Sequence, residues 1–180
     1  MSGGINGWES EIAVGSPDSG LDLFNGAESV EEALVIGFGL EEGLREFYLS
    51  MIPKAENEEA KKLFTMLADI EILHQKQLLD IYEDVTGKVK SLEEFSSQVA
   101  EPAMEGGLST DEYISLFYPD LNSELDILSL AMSIEAQALD LYHRAAEKAE
   151  DEKIIKALKQ IEKEERTHIE KLAEYIEKFA

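Results

Sequence analysis

The chain has 180 residues, enough for one domain with a sizeable core. It sets 16 Lys and Arg against 39 Asp and Glu, a formal charge of −23, which argues against binding the phosphates of nucleic acid. There is no cysteine, so disulfides, thiolate catalysis, zinc–thiolate sites and iron–sulfur clusters are excluded together, and a metal would have to be held by carboxylate, imidazole or water.

In chain order, residues 1–27 are rich in Gly, Ser and Asp and show no long period. They contain Gly3-Gly4-Ile5-Asn6-Gly7-Trp8-Glu9, then Ala13-Val14-Gly15-Ser16-Pro17. This stretch resembles the closing segment of a rhodanese domain, which implies an N-terminal extension left from a rhodanese fusion. An ordinary flexible arm is the other reading. The catalytic cysteine of that family is absent, so no sulfur transfer is expected. The first residues lack the basic and apolar regions of a signal peptide, and no apolar run is long enough to span a membrane, so a cytoplasmic protein is the expectation.

Residues 28–180 are expected to form one helical domain. Ser29-Val30-Glu31-Glu32 is a capping box, and the helix it starts should run to about Ile52, before Pro53. A second helix should run from about Asn57 to about Thr86, with Gly87 placed to end it. Residues 87–121 are broken by Pro102, Gly106, Gly107 and Pro119, with short helical starts at Ser91 and Ser109. A connection this long is explained if it runs the length of a bundle. A third helix is expected from about Ser123 to Ala149 and a fourth from about Asp151 to the end.

The two halves repeat. A shift of 94 residues sets Glu41 on Glu135, Tyr48 on Tyr142, Glu71 on Glu165 and His74 on His168, without a gap. Each half therefore reads Glu, then Tyr, then Glu-x-x-His, on a helical hairpin. Two such hairpins packed by a pseudo-twofold give an all-α four-helix bundle joined by one long crossover.

The glutamates and histidines occupy apolar stripes. On the second helix the order is Phe64, Leu67, Glu71, His74, Leu78, Ile81. On the fourth it is Ile154, Leu158, Ile161, Glu165, His168, Leu172, Tyr175, Phe179. Glu41 shares a face with Leu34, Phe38 and Tyr48, and Glu135 with Leu128, Ala131, Ala138 and Tyr142. Four carboxylates converging in a core repel, and burying them unpaired is costly. Protonation of some of them is one solution. Two divalent cations balance the four charges, with two neutral imidazoles completing the shells. Oxygen-rich ligands with one imidazole per metal suit iron or manganese. His143 has no counterpart in the repeat, where Leu49 stands, and reads as a surface residue.

Over residues 28–179 the chain resembles the ferritin-like di-iron superfamily and, within it, the rubrerythrin-like group. The resemblance implies two iron ions, with manganese or a mixed pair as alternatives. It also implies that Glu71 and Glu165 bridge the metals, that Glu41 and Glu135 are terminal carboxylates, and that His74 and His168 bind one metal each. Tyr48 and Tyr142 match tyrosines that hydrogen-bond ligand carboxylates across the bundle. There are departures from the group. The extra carboxylate usually found near the third-helix glutamate is missing, since Met132 and Ala138 stand three residues before and after Glu135. The rubredoxin-like iron domain is missing as well. The expected function is a di-iron oxidoreductase reducing hydrogen peroxide or dioxygen, served by an external electron-donor protein and acting as a homodimer in which the crossover can swap between chains. The alternatives are a ferroxidase or iron-handling protein, a di-iron hydroxylase, and a helical interaction module stabilised by metal.

Overall fold

Ser29 begins the first long helix, as its capping box requires. Its hydroxyl accepts the Glu32 N–H at 3.2 Å, and the Glu32 carboxylate accepts the Ser29 N–H at 2.7 Å. The computed structural model describes residue 24, residues 28–99, 114–115 and 118–179, with side chains as far as 177. The rhodanese-like stretch and the Ser109 helical start lie outside the described residues. The helices are α1 (Val30–Met51), α2 (Glu58–Thr86), the short α3 (Leu92–Ser96), α4 (Glu124–Lys148) and α5 (Glu152–Phe179). A 3-10 turn, Ile52–Lys54, carries the chain over Pro53. No strand occurs among the described residues.

Each long helix starts where a short polar side chain can take an orphan N–H. Asn57 accepts from Glu59 N–H at 2.9 Å, Ser123 from Asp126 N–H at 3.3 Å, and Asp151 from Lys153 N–H at 2.7 Å. Gly87 ends α2 in the left-handed region, with its N–H donating to the Glu83 carbonyl at 2.7 Å. Its φ is +70°, and an added Cβ would meet nothing within 4 Å. Gly87→Ala should therefore cost only the left-handed backbone penalty, about 1 kcal/mol. The expected reading is a thermal midpoint lowered by about 2–4 °C with unchanged helix content; an unchanged midpoint would contradict it.

The core falls into two apolar clusters, and the order in which each helix meets them gives the topology. One cluster holds Leu44, Phe47 and Met51 of α1, Leu63, Phe64 and Leu67 of α2, Ile127, Leu128 and Ile134 of α4, and Leu172 and Ile176 of α5. The other holds Leu34, Phe38 and Leu40 of α1, Leu78, Ile81 and Tyr82 of α2, Ala138, Leu141 and Tyr142 of α4, and Ile154, Leu158 and Ile161 of α5. Helices α1 and α5 run from the second cluster to the first, whereas α2 and α4 run the opposite way. The bundle is thus two antiparallel hairpins with α2 and α4 parallel, so the segment between those two must travel the whole length.

The ends of that segment confirm the path. Phe95 of α3 is buried in the second cluster against Phe38 and Tyr82, at ring separations of 5.8 and 5.3 Å. Ile114 and Leu121 already pack on the first cluster. Asn122 then fastens the arrival to the α1–α2 turn, its side-chain oxygen accepting the N–H groups of Glu56 and Asn57 at 2.6 and 2.9 Å. These contacts are the all-α ferritin-like bundle with one crossover that the repeat called for. One detail differs. Near the end of α5 it is Ile176 that is buried, while Tyr175 is only partly covered. No helix among the described residues is long and apolar enough to cross a membrane.

Candidate metal centre

Between the two apolar clusters lies a buried polar layer. Glu41, Glu71, Glu135 and Glu165 are each no more than 3% exposed, and His74 and His168 are 3% and 5% exposed. Each comes from the middle of a long helix, where its stripe passes from one apolar cluster to the other. The periodicity that buries Phe64 and Leu78 therefore buries Glu71 and His74 with them. The six residues singled out by the repeat meet at one level.

Nδ1 of His74 stands 2.7 Å from Glu71 and 3.3 Å from Glu41. Nδ1 of His168 stands 3.3 Å from Glu165 and 3.7 Å from Glu135. The two imidazoles lie face to face, with centroids 3.4 Å apart and planes 4° from parallel. Each ring thus turns the same nitrogen toward the carboxylates of its own half.

The electrostatics show a centre with surplus negative charge. Among the described residues no Lys or Arg is buried, so four carboxylates face two imidazoles. Burial pushes the Glu71 carboxyl well above the usual range, against the pull of His74. Burial alone would lower His74, but the Glu71 and Glu41 carboxylates outweigh it and hold the imidazole well above its ordinary value. Glu135 goes the other way. Burial would raise it, yet hydrogen bonding from His168 and the charge of His74 hold it low, helped by a hydrogen bond from Glu165. Glu71 and His74 are thus both shifted toward their protonated forms, which offsets part of the negative charge.

The donor set fits a pair of divalent ions. Ligand atoms of Glu41, Glu71 and His74 lie within 4.8 Å of one another, as do those of His74, Glu135 and His168. Oε2 of Glu135 is buried and stands 3.7 Å from the His168 imidazole, too far for a hydrogen bond, and Nε2 of His168 is buried with no hydrogen-bond partner among the described residues. A metal would give the oxygen its missing partner. Carboxylate and imidazole together suit iron or manganese better than a soft-ligand metal.

The remaining sequence expectations find their places. Tyr48 and Tyr142 are buried, at 1% and 0% exposure. A methyl group on Gly37 would stand 3.4 Å from the Tyr142 hydroxyl, so that hydroxyl reaches across to α1 one turn before Glu41. Met132 and Ala138 are buried apolar neighbours of Glu135, and no extra carboxylate occupies either position. His143 is at the surface, paired with Glu162 at 3.4 Å and Glu147 at 3.6 Å.

Two buried amides, Gln75 and Gln137, were passed over in the sequence. Both were legible by the same spacing. Gln75 continues the ladder Ala68, Glu71, Leu78, Tyr82, and Gln137 the ladder Leu130, Ile134, Leu141.

Comparison with known proteins agrees with this geometry. No curated protein and no solved structure matches the chain. The family model described as Rubrerythrin matches residues 32–176, a span that begins in the first turns of α1, ends near the close of α5, and contains both copies of the Glu and Glu-x-x-His pattern. With that span covering most of the sequence and all six groups of the buried polar layer inside it, the chain belongs to the rubrerythrin family.

Proposed function

We propose that the protein reduces hydrogen peroxide at a carboxylate-bridged di-iron centre. The observation that carries the reading is the convergence of both Glu and Glu-x-x-His copies around two stacked imidazoles in a layer with no buried Lys or Arg among the described residues. Glu71 and Glu165 would be the bridging carboxylates, Glu41 and Glu135 the terminal ones, and His74 and His168 would hold one ion each. When bound, two ferrous ions would supply the two electrons that, with two protons, convert hydrogen peroxide to two waters.

The chain's own part is positioning and exclusion. The apolar clusters on either side hold the six ligands at one level and keep bulk water from the imidazoles. The buried Tyr48 and Tyr142 are placed to orient ligand carboxylates from the opposite hairpin, which keeps metal ligands in register. Met132 and Ala138 place no carboxylate at the positions three before and three after Glu135. Electrons are restored by a separate donor protein.

The test is to load the protein anaerobically with ferrous iron and mix it with peroxide or with dioxygen. The expected result is rapid oxidation of the centre by peroxide and much slower oxidation by dioxygen. Fast reaction with dioxygen and indifference to peroxide would reject the peroxidase reading in favour of ferroxidase or oxygenase chemistry.

A further inference from the structure

A polar seam leaves the histidine pair between α2 and α5. Gln77 follows His74 by three residues and Glu164 precedes His168 by four, so each lies one turn from its imidazole on a shared helix face. The helices are antiparallel, and both steps lead toward the cluster that holds Leu78 and Ile161. The two side chains meet there, with Gln77 Nε2 donating to Glu164 at 3.5 Å. Gln160 continues the α5 face one turn further.

Three atoms along this seam are buried with no hydrogen-bond partner among the described residues: His168 Nε2, Gln77 Oε1 and Gln160 Oε1. The bond to Glu164 uses the Gln77 amide nitrogen, which fixes the amide oxygen on the other side. His168 turns Nδ1 to the carboxylates, so Nε2 points away from them. A ligating histidine nearly always donates this second N–H to a carboxylate, a carbonyl or water. With no acceptor among the described residues, water remains. Buried polar atoms of this kind are ordinarily satisfied by ordered waters, each bonded to several of them. Gln77 and Gln160 are themselves only half-buried, so the seam opens to solvent at its outer side.

The internal repeat shows that the fold does not impose this polarity. The repeat equivalents of Glu164 and Gln160 are Ile70 and Met66, and that of Gln77 is the exposed Lys171. On α2, Met66 and Ile70 border a shallow surface groove with Lys62, Thr65, Asp69 and Leu73. Only one half carries amides.

We propose that the seam lined by Gln77, Glu164 and Gln160 is a hydrated path that carries water and protons between solvent and the buried centre. Its purpose rests on the peroxide reading, since reducing hydrogen peroxide to two waters takes up two protons with two electrons and makes water that must leave. Its test does not. Gln77→Met and Gln160→Met are near-isosteric and remove the buried acceptors. In metal-free protein labelled at histidine nitrogen, exchange of the His168 Nε2 proton with solvent is read by NMR. The double variant is expected to slow this exchange by about tenfold or more, because exchange of a buried proton then needs local opening. Gln160→Asn, which keeps an amide, should stay near the wild-type rate. If the double variant does not fold, Gln160→Met alone is expected to slow exchange in the same direction. Exchange within about twofold of wild type in a folded Met variant would overturn the path. Failure of the peroxide reaction in iron-loaded protein, with exchange behaving as expected, would reject the peroxidase reading and leave the path standing.

Discussion

Replacing Glu71 and Glu165 together by Gln is expected to abolish binding of two ions while making the metal-free protein more stable. The two effects have one cause. The centre buries four carboxylates beside two imidazoles, so carboxylates outnumber imidazoles two to one. In the double variant Glu41 still faces His74, and Glu135 still faces His168, leaving one carboxylate for each imidazole. Burial already disfavours the ionised form of Glu71, and an amide of the same shape removes that penalty. A gain of roughly 2 kcal/mol is expected, within the range found when buried ion clusters are neutralised. For a chain of this size that is a rise in thermal midpoint of about 4–8 °C. Metal affinity should fall by more than about 100-fold, since loss of an outer hydrogen-bond partner alone can cost that much. Calorimetry of the metal-free forms and metal content after dialysis read the two halves separately. A variant that is less stable without metal would show that the carboxylates serve folding, and one that still holds two ions would show that they do not bridge.

The same opposition explains why the site was legible in the sequence. A core position that holds Glu between Leu67 and Leu78 contradicts its own stripe, and such local conflicts mark function more sharply than a motif does. Two conflicts in register at a 94-residue offset fixed the six residues. Periodicity also placed α1, α2, α4 and α5 to within a residue or two, because their caps are short polar side chains with one clear partner each.

What periodicity cannot carry is distance. It assigns His74 and His168 to inward faces, but their 3.4 Å stacking depends on how two hairpins close on each other. Nor does it separate the halves, although Glu71 lies closer to its imidazole than Glu165 does, at 2.7 against 3.3 Å. The tail of α5 shows a related limit. Over 28 residues a stripe counted in threes and fours drifts around a 3.6-residue helix, and burial passes from Tyr175 to Ile176. The seam at Gln77 was invisible for another reason. Half-buried amides look like surface residues until the partner helix shows which of their atoms are covered.

Loading the centre with two ferrous or manganous ions is expected to raise the thermal midpoint, and to raise it more at higher pH. An ion present at 1,000 times its dissociation constant contributes about 4 kcal/mol, so two independent ions contribute roughly 8 kcal/mol. The corresponding rise is roughly 15–30 °C. The pH dependence follows from protons that metal must displace. His74 is raised in the folded metal-free protein, so its stabilising contribution is complete below the ordinary imidazole value and is lost as pH climbs through the raised one. Glu71 is raised as well, and here too the folded state holds its proton more tightly than the unfolded chain, so stability again falls as pH rises above the ordinary carboxylate range. Glu135 is lowered and acts oppositely, but only where pH falls below that ordinary range. Between about pH 6 and pH 8 the metal-free protein therefore weakens with rising pH, while the metal competes with fewer protons. The gap between loaded and metal-free midpoints should widen across that interval for manganese as for iron, since neither cause involves electron transfer. A gap that narrows with pH would mean that the ions bind somewhere other than the buried carboxylates.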